Sequence, residues 1–114
     1  MTMQIYHNPR CSKSRQTLEL LQDKGLDVQI VEYLKTPPSK GELFGILDKL
    51  DLEAKSIIRT KEVEFKDMSI NLEDKESVID AIVQVPKLLE RPIVVTEEKA
   101  AIGRPPENVL KILD

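Results

Sequence analysis

The lone cysteine of the chain, Cys11, stands in Asn8-Pro9-Arg10-Cys11-Ser12-Lys13-Ser14-Arg15, between an alternating segment and a run of helical character. A thiol at the mouth of a helix meets backbone N–H groups without intrahelical partners and the positive end of the helix dipole. A thiolate and a bound oxyanion are both favoured there, and Arg10, Lys13 and Arg15 add positive charge. One cysteine makes neither an internal disulfide nor a structural zinc site, which leaves an inert core thiol, an intermolecular partner or a nucleophile. Composition favours the inert thiol, because free cysteine is among the most buried residue types. The cationic turn around Cys11 favours the nucleophile, unless it is an ordinary loop with a solubilising charge cluster. His7, the single histidine, is either a satisfied structural group at a strand end or a donor and neighbouring cation to the thiolate.

Three further arginines lie at expected element ends rather than in charge runs: Arg59 after Ile57-Ile58, Arg91 before Pro92, and Arg104 before Pro105-Pro106. The planar guanidinium fork suits a tetrahedral oxyanion better than the point charge of lysine. Taken singly, each reads as a surface arginine. Grouped around one thiolate, they would hold both the sulfur's charge and an anionic substrate. Pro92 enters a β-branched run, a place where a cis peptide can be locked.

The elements that must position these groups follow from pattern. Met3 to His7 alternates and stops at Asn8-Pro9, which predicts a strand. Ser12 to Lys24 contains no Gly or Pro, carries a Leu18, Leu20 and Leu21 stripe and meets Gly25, which predicts a capped helix. Val28, Ile30 and Val31 predict a second strand, and Tyr33 to Pro38 an extended connector. Ser39 and Glu42 match a capping box ahead of Leu43, Phe44, Leu47 and Leu50. Short helices are expected at Leu52 to Ile58, at Val63 to Met68 and after Asp74, the last with Val78, Ile79, Ile82 and Val83 on one face. Ile93-Val94-Val95 and Ala100-Ala101-Ile102 then predict a hairpin. Arg104-Pro105-Pro106 starts a closing helix with Val109, Leu110, Ile112 and Leu113 on its apolar face. The order is β-α-β, a helical block, then β-β-α.

A chain of 114 residues, 40% hydrophobic, suits one compact domain. A single domain is expected over 1–114, with the helical insertion at about 39–84. The net charge of -3 argues against nucleic-acid binding through a broad basic face, so the cations that matter act locally. The start of the chain lacks a signal-peptide pattern and no apolar run reaches membrane-spanning length, so no membrane association and a cytoplasmic location are expected.

The stretches from His7 to Arg15, Glu90-Arg91-Pro92-Ile93-Val94-Val95 and Gly103-Arg104-Pro105-Pro106-Glu107 together resemble the glutaredoxin-coupled arsenate reductase family, and the likeness runs nearly end to end. The resemblance implies an α/β fold: a thioredoxin-like mixed four-stranded sheet with flanking helices, an inserted all-helical block, and Pro92 as the cis-proline beside the thiol. It implies that Cys11 attacks arsenate and loses water, that glutathione then adds, and that glutaredoxin resolves the adduct to release arsenite. Cys11 matches the nucleophile, and Arg59, Arg91 and Arg104 the anion-binding arginines. His7, Asn8, Ser14 and Arg15 match groups that support the thiolate. Glutathione is a co-substrate in this scheme; no bound cofactor and no metal are implied. The chain ends soon after its closing helix, as in a short-chain subgroup.

Two rival readings share the scaffold. Relatives of this fold include regulators that bind RNA polymerase and sense oxidants, usually with a second cysteine where this chain has Ser14, which argues against a self-contained disulfide switch. A thiol transferase would use the same nucleophile and would not need three anion-binding arginines.

Overall fold

The structure, a computed structural model, describes residues 3–113. They form two compact units, one from residues 3–36 with 91–113 and one from 37–90.

The first unit is a four-stranded sheet with helices. β1 (Gln4–His7) leads through α1 (Ser12–Asp23) to β2 (Gln29–Glu32); after the second unit come β3 (Ile93–Val95), β4 (Ala100–Ile102) and a 3-10 helix (Pro106–Ile112). The strand order is β2-β1-β3-β4. β1 pairs with β2 in parallel and with β3 antiparallel, and β3 pairs with β4 antiparallel. This is the thioredoxin-like mixed sheet that the sequence led us to expect. Its register sets Ile5 opposite Val94 and Val94 opposite Ala101, so one row of apolar side chains crosses three strands. That row forms the core with Leu21 of α1 and Val109 and Ile112 of the closing helix. Side chains alternate faces along a strand, so Tyr6 and Ile93, paired in the next row, line the other face, where both are buried.

α1 ends in a Schellman motif. Gly25 takes φ +75°, its N–H donates to Gln22 O at 2.9 Å, and Leu26 N–H donates to Leu21 O at 3.3 Å. The buried stripe of α1 differs from the leucine stripe expected. Ser14, Thr17 and Leu21 are fully covered, while Leu18 and Leu20 pack only partly against the core. Two of the three buried positions are hydroxyls, which a count of apolar residues passes over. The closing helix also differs: it is a seven-residue 3-10 helix burying Pro106, Val109 and Ile112. Three residues per turn eclipse i and i+3, so this spacing of three puts those side chains on one edge. Leu110 is only partly covered.

The second unit is helical. α2 (Lys40–Leu50) starts with the expected capping box, Ser39 Oγ accepting from Glu42 N–H and Glu42 Oε1 from Ser39 N–H, and buries Leu43, Ile46, Leu47 and Leu50. α3 (Val63–Lys66) is shorter than expected and buries nothing; Val63 is 68% exposed. α4 (Lys75–Gln84) is capped by Asp74 and packs on α2. Its covered face is Val78, Ile79, Ala81 and Ile82, whereas Val83, expected inside, faces solvent. The segment around Leu52 to Ile58 is reduced to a 3-10 turn, Ala54–Ile57. Beyond it, Ile58 pairs with Leu89 in an isolated antiparallel bridge, following the 3-10 turn Pro86–Leu88.

Gly103 is the glycine with the closest neighbours. Its N–H donates to Pro92 O at 2.8 Å, and a Cβ built on it would lie 2.5 Å from Thr17 Oγ1 and 2.7 Å from Pro92 Cγ. Gly45, inside α2, has open space around the same position. Gly103→Ala should therefore cost about 1–3 kcal/mol through overpacking. Gly45→Ala should stabilise by roughly 0.5–1 kcal/mol through helix propensity. Opposite shifts of the thermal unfolding midpoint check the pair; a neutral Gly103→Ala would contradict the close packing.

Candidate functional site: one thiol at the start of a helix

Cys11 is the N-cap residue of α1, with extended backbone (φ -94°, ψ 123°). The turn before it closes on itself, since Cys11 N–H donates to Asn8 O at 3.0 Å and Arg10 N–H to Asn8 Oδ1 at 3.0 Å. Arg15, one turn into α1, donates from Nη1 to Pro9 O at 2.9 Å, so its guanidinium braces the loop backbone. Arg10 and Lys13 are exposed and, among the described residues, pair with no carboxylate.

Beneath the loop lies a buried polar junction. Ser14 Oγ accepts from Asn8 N–H at 3.0 Å and lies 2.6 Å from His7 Nδ1. Burial lowers the pKa of His7; the charge of Glu32 pushes it up less, and Arg15 pushes it down. The imidazole is therefore neutral at neutral pH. An Nδ1 without a proton gives the Ser14 hydroxyl proton its acceptor. Of the two readings of His7, the structure shows the ring bonded to Ser14, with its charged form disfavoured by burial. Asn8 likewise acts through its backbone and amide oxygen, holding the loop's shape.

Cys11 is largely covered, at 9% exposed, and a guanidinium lies beside its sulfur. Arg104 Nη2 lies 3.5 Å from Cys11 Sγ, within hydrogen-bond range of sulfur, and Arg104 Nε donates to Arg91 O at 2.7 Å. The Arg91 carbonyl thus aims the Arg104 guanidinium. Both Arg91–Pro92 and Arg104–Pro105 are cis peptides; only the first was singled out in the sequence. Asn108 Nδ2 donates to Ile102 O at 2.8 Å and fastens the exit of β4 to the closing helix. Among the described residues no cluster of His, Cys, Asp or Glu is arranged to hold a metal ion.

The first unit therefore gathers His7, Asn8, Cys11, Ser14, Arg15, Arg91, Pro92 and Arg104. Arg59 belongs to the second unit. Its backbone is fixed beside the Ile58–Leu89 bridge, Arg59 N–H donating to Leu88 O at 2.7 Å, and its Nη2 lies 3.2 Å from Glu62 Oε1. Sequence reasoning missed Thr17, Glu62, Gly103 and Asn108. The hydroxyl spacing Ser14, Thr17 and the pair Arg59, Glu62 were the available signals.

The thioredoxin-like sheet thus carries Cys-X-X-Ser at the start of α1, with an arginine facing the one cysteine of the chain. Residues 6–112 match the model of the ArsC family. The chain is 48% identical over 116 residues to the uncharacterised protein YfgD of Escherichia coli K12, covering 97% of this chain and 96% of that one. It is 45% identical over 115 residues to an arsenate reductase of Neisseria meningitidis, covering 97% of each. The solved arsenate reductase of Vibrio cholerae superposes with a TM-score of 0.92 at 44% identity, over 99% of this chain and 98% of that one. The chain belongs to the ArsC family.

The buried imidazole has a pH consequence. Its folded-state pKa lies below the unfolded value, so the unfolded chain binds the extra proton first. The stability that neutral His7 contributes is fully present above the unfolded value of about 6.5 and is lost as pH falls from there towards the folded value. Urea midpoints measured between about pH 7.5 and pH 5.5 should fall more steeply for the parent chain than for His7→Gln; parallel profiles would show that the ring is not held neutral.

Proposed function

We propose that this chain is an arsenate reductase in which Cys11 is the nucleophile and Arg104 and Arg91 bind the oxyanion. The observation that carries this reading is the Arg104 guanidinium 3.5 Å from the only sulfur nucleophile, itself at the N-cap of α1. A fixed cation there stabilises charge on the thiolate and then on the oxygens it attacks, and charge-assisted hydrogen bonds strengthen as that charge grows. The names of relatives about as similar over nearly the whole chain support the same substrate.

The thiolate of Cys11 attacks arsenic(V), and one arsenate oxygen leaves as water after protonation. With Ser14 where a second cysteine would stand, the electrons for reduction must come from an outside thiol. In the scheme we favour, glutathione adds to arsenic and displaces a second oxygen as water. A glutaredoxin thiolate then attacks the glutathione sulfur. The sulfur–arsenic bond breaks and leaves its electron pair on arsenic, which becomes arsenic(III), while glutaredoxin carries off the glutathione as a mixed disulfide. Water releases arsenite from Cys11 and restores the thiol. His7, Asn8, Ser14 and Arg15 support this cycle by holding the loop that carries the sulfur. A reducing compartment keeps such a thiol free, and we assign the protein to the cytoplasm. Among the described residues no helix is long and apolar enough to cross a membrane.

The test is arsenate-dependent oxidation of NADPH in the presence of glutathione, glutaredoxin and glutathione reductase. Cys11→Ser should abolish turnover with an unchanged unfolding midpoint. Arg104→Gln should lower kcat/KM for arsenate by about 10²-fold, the scale of removing one donor from a charged transition state. Absence of arsenate-dependent turnover, beside an active family enzyme, sinks the substrate assignment. If exchange with a glutathione mixed disulfide suffered as much from Arg104→Gln as arsenate turnover, a thiol transferase would be the better reading.

A further inference from the structure

Arg104 is exposed, and an exposed arginine has many rotamers to give up before its guanidinium keeps one place beside a sulfur. A backbone fixed on both sides of the residue narrows that choice. On the upstream side the chain is stitched to the segment entering β3: Gly103 N–H donates to Pro92 O at 2.8 Å, and Arg104 Nε to Arg91 O at 2.7 Å. On the downstream side stand Pro105 and Pro106, which have no N–H to donate. The hold there comes from Asn108. Its backbone N–H donates to Pro105 O at 2.9 Å and its Nδ2 to Ile102 O at 2.8 Å, so one residue grips a carbonyl on either side of Gly103-Arg104. All of these groups lie in the first unit, with Cys11.

We infer that Asn108 is a positioning residue: by clasping Ile102 O, its side-chain amide sets the course of the chain through Arg104 and so keeps Nη2 at 3.5 Å from Cys11 Sγ. The inference rests on the reading of Arg104 as the cation that stabilises the thiolate. Asn108 acts through the arginine rather than on the sulfur. A purely structural role, in which the amide does no more than satisfy the last carbonyl of β4, would lower stability on its removal and leave the charge at Cys11 as it was. Leucine nearly keeps the volume of asparagine and has no donor, so it removes the clasp without opening a cavity.

Alkylation of Cys11 by iodoacetamide, timed at about pH 6 and about pH 10, separates the two roles, because only the thiolate reacts and ionisation limits the rate at the lower pH alone. The ratio of the two rates cancels any change in access to the sulfur. Arg10, Lys13 and Arg15, the other cations of the loop, are the same in every variant. Asn108→Ala and Asn108→Leu should each lower the low-to-high ratio about threefold, and Arg104→Gln about tenfold, the scale of a charge-assisted contact loosened or lost. Combined with Arg104→Gln, Asn108→Leu should lower it no further, since the side chain it directs is gone. An unchanged ratio in Asn108→Leu, with the ratio lowered in Arg104→Gln, overturns the positioning role alone. An unchanged ratio in Arg104→Gln overturns the reading of Arg104 beneath it. A loss from Asn108→Leu that is as large with Arg104→Gln as without it also overturns the inference, because the effect then bypasses the arginine. Should either Asn108 variant not fold, the other decides.

Discussion

The Ser14 hydroxyl is the junction through which the thiol loop is defined. It sits inside α1, yet it takes the N–H of Asn8 and meets the ring of His7, so a single buried oxygen ties the end of β1 to the beginning of the helix. The residues between are thereby closed into a ring, with Cys11 at the point where the loop becomes helix. A buried group of this kind is expensive when only partly satisfied and rigidifying when fully satisfied. Burial at the same junction disfavours the charged form of His7, because a charge there would lie in a covered site.

Around that ring, backbone carbonyls help to aim the guanidinium groups. Arg104 is steered by the Arg91 carbonyl, and Arg15 is spent on the Pro9 carbonyl. A neutral carbonyl orients an arginine without cancelling its charge. The exposed lysine pairs, such as Lys40 with Glu76 and Asp80, contribute little, because water screens them.

Much of this was legible in the residues, and the gaps have physical causes. Gly25 and the Ser39–Glu42 box signal helix ends by interactions spanning four or five residues, so they read directly from sequence. The strands were likewise legible from β-branched runs and the turns that bound them. The α1 stripe was misread because burial of Ser14 and Thr17 depends on hydrogen bonds to Asn8, His7 and Lys13, which no hydrophobic pattern carries. The closing helix was given a period of 3.6 by Leu110 and Leu113, although Pro106, Val109 and Ile112 repeat every third residue. At the site, residue types pointed to Cys11 and Arg104, which the fold sets 3.5 Å apart. The carbonyl that orients Arg104 was invisible, because every residue has one; the charge state of His7 depended on burial that only the fold defines.

β2 is an outer strand of its sheet, four residues long, with Gln29 and Ile30 exposed. An outer strand offers unpaired amides and carbonyls to any other chain that can lie alongside, and an exposed isoleucine makes the offer more attractive. Here Glu32 closes the strand with a charge, the chain turns at once as Lys35 and Thr36 N–H groups fold back on Glu32 O, and Pro37-Pro38 follow with no amide hydrogens to give. The template is too short and too soon interrupted to propagate, so the sheet can leave this side open without inviting intermolecular aggregation.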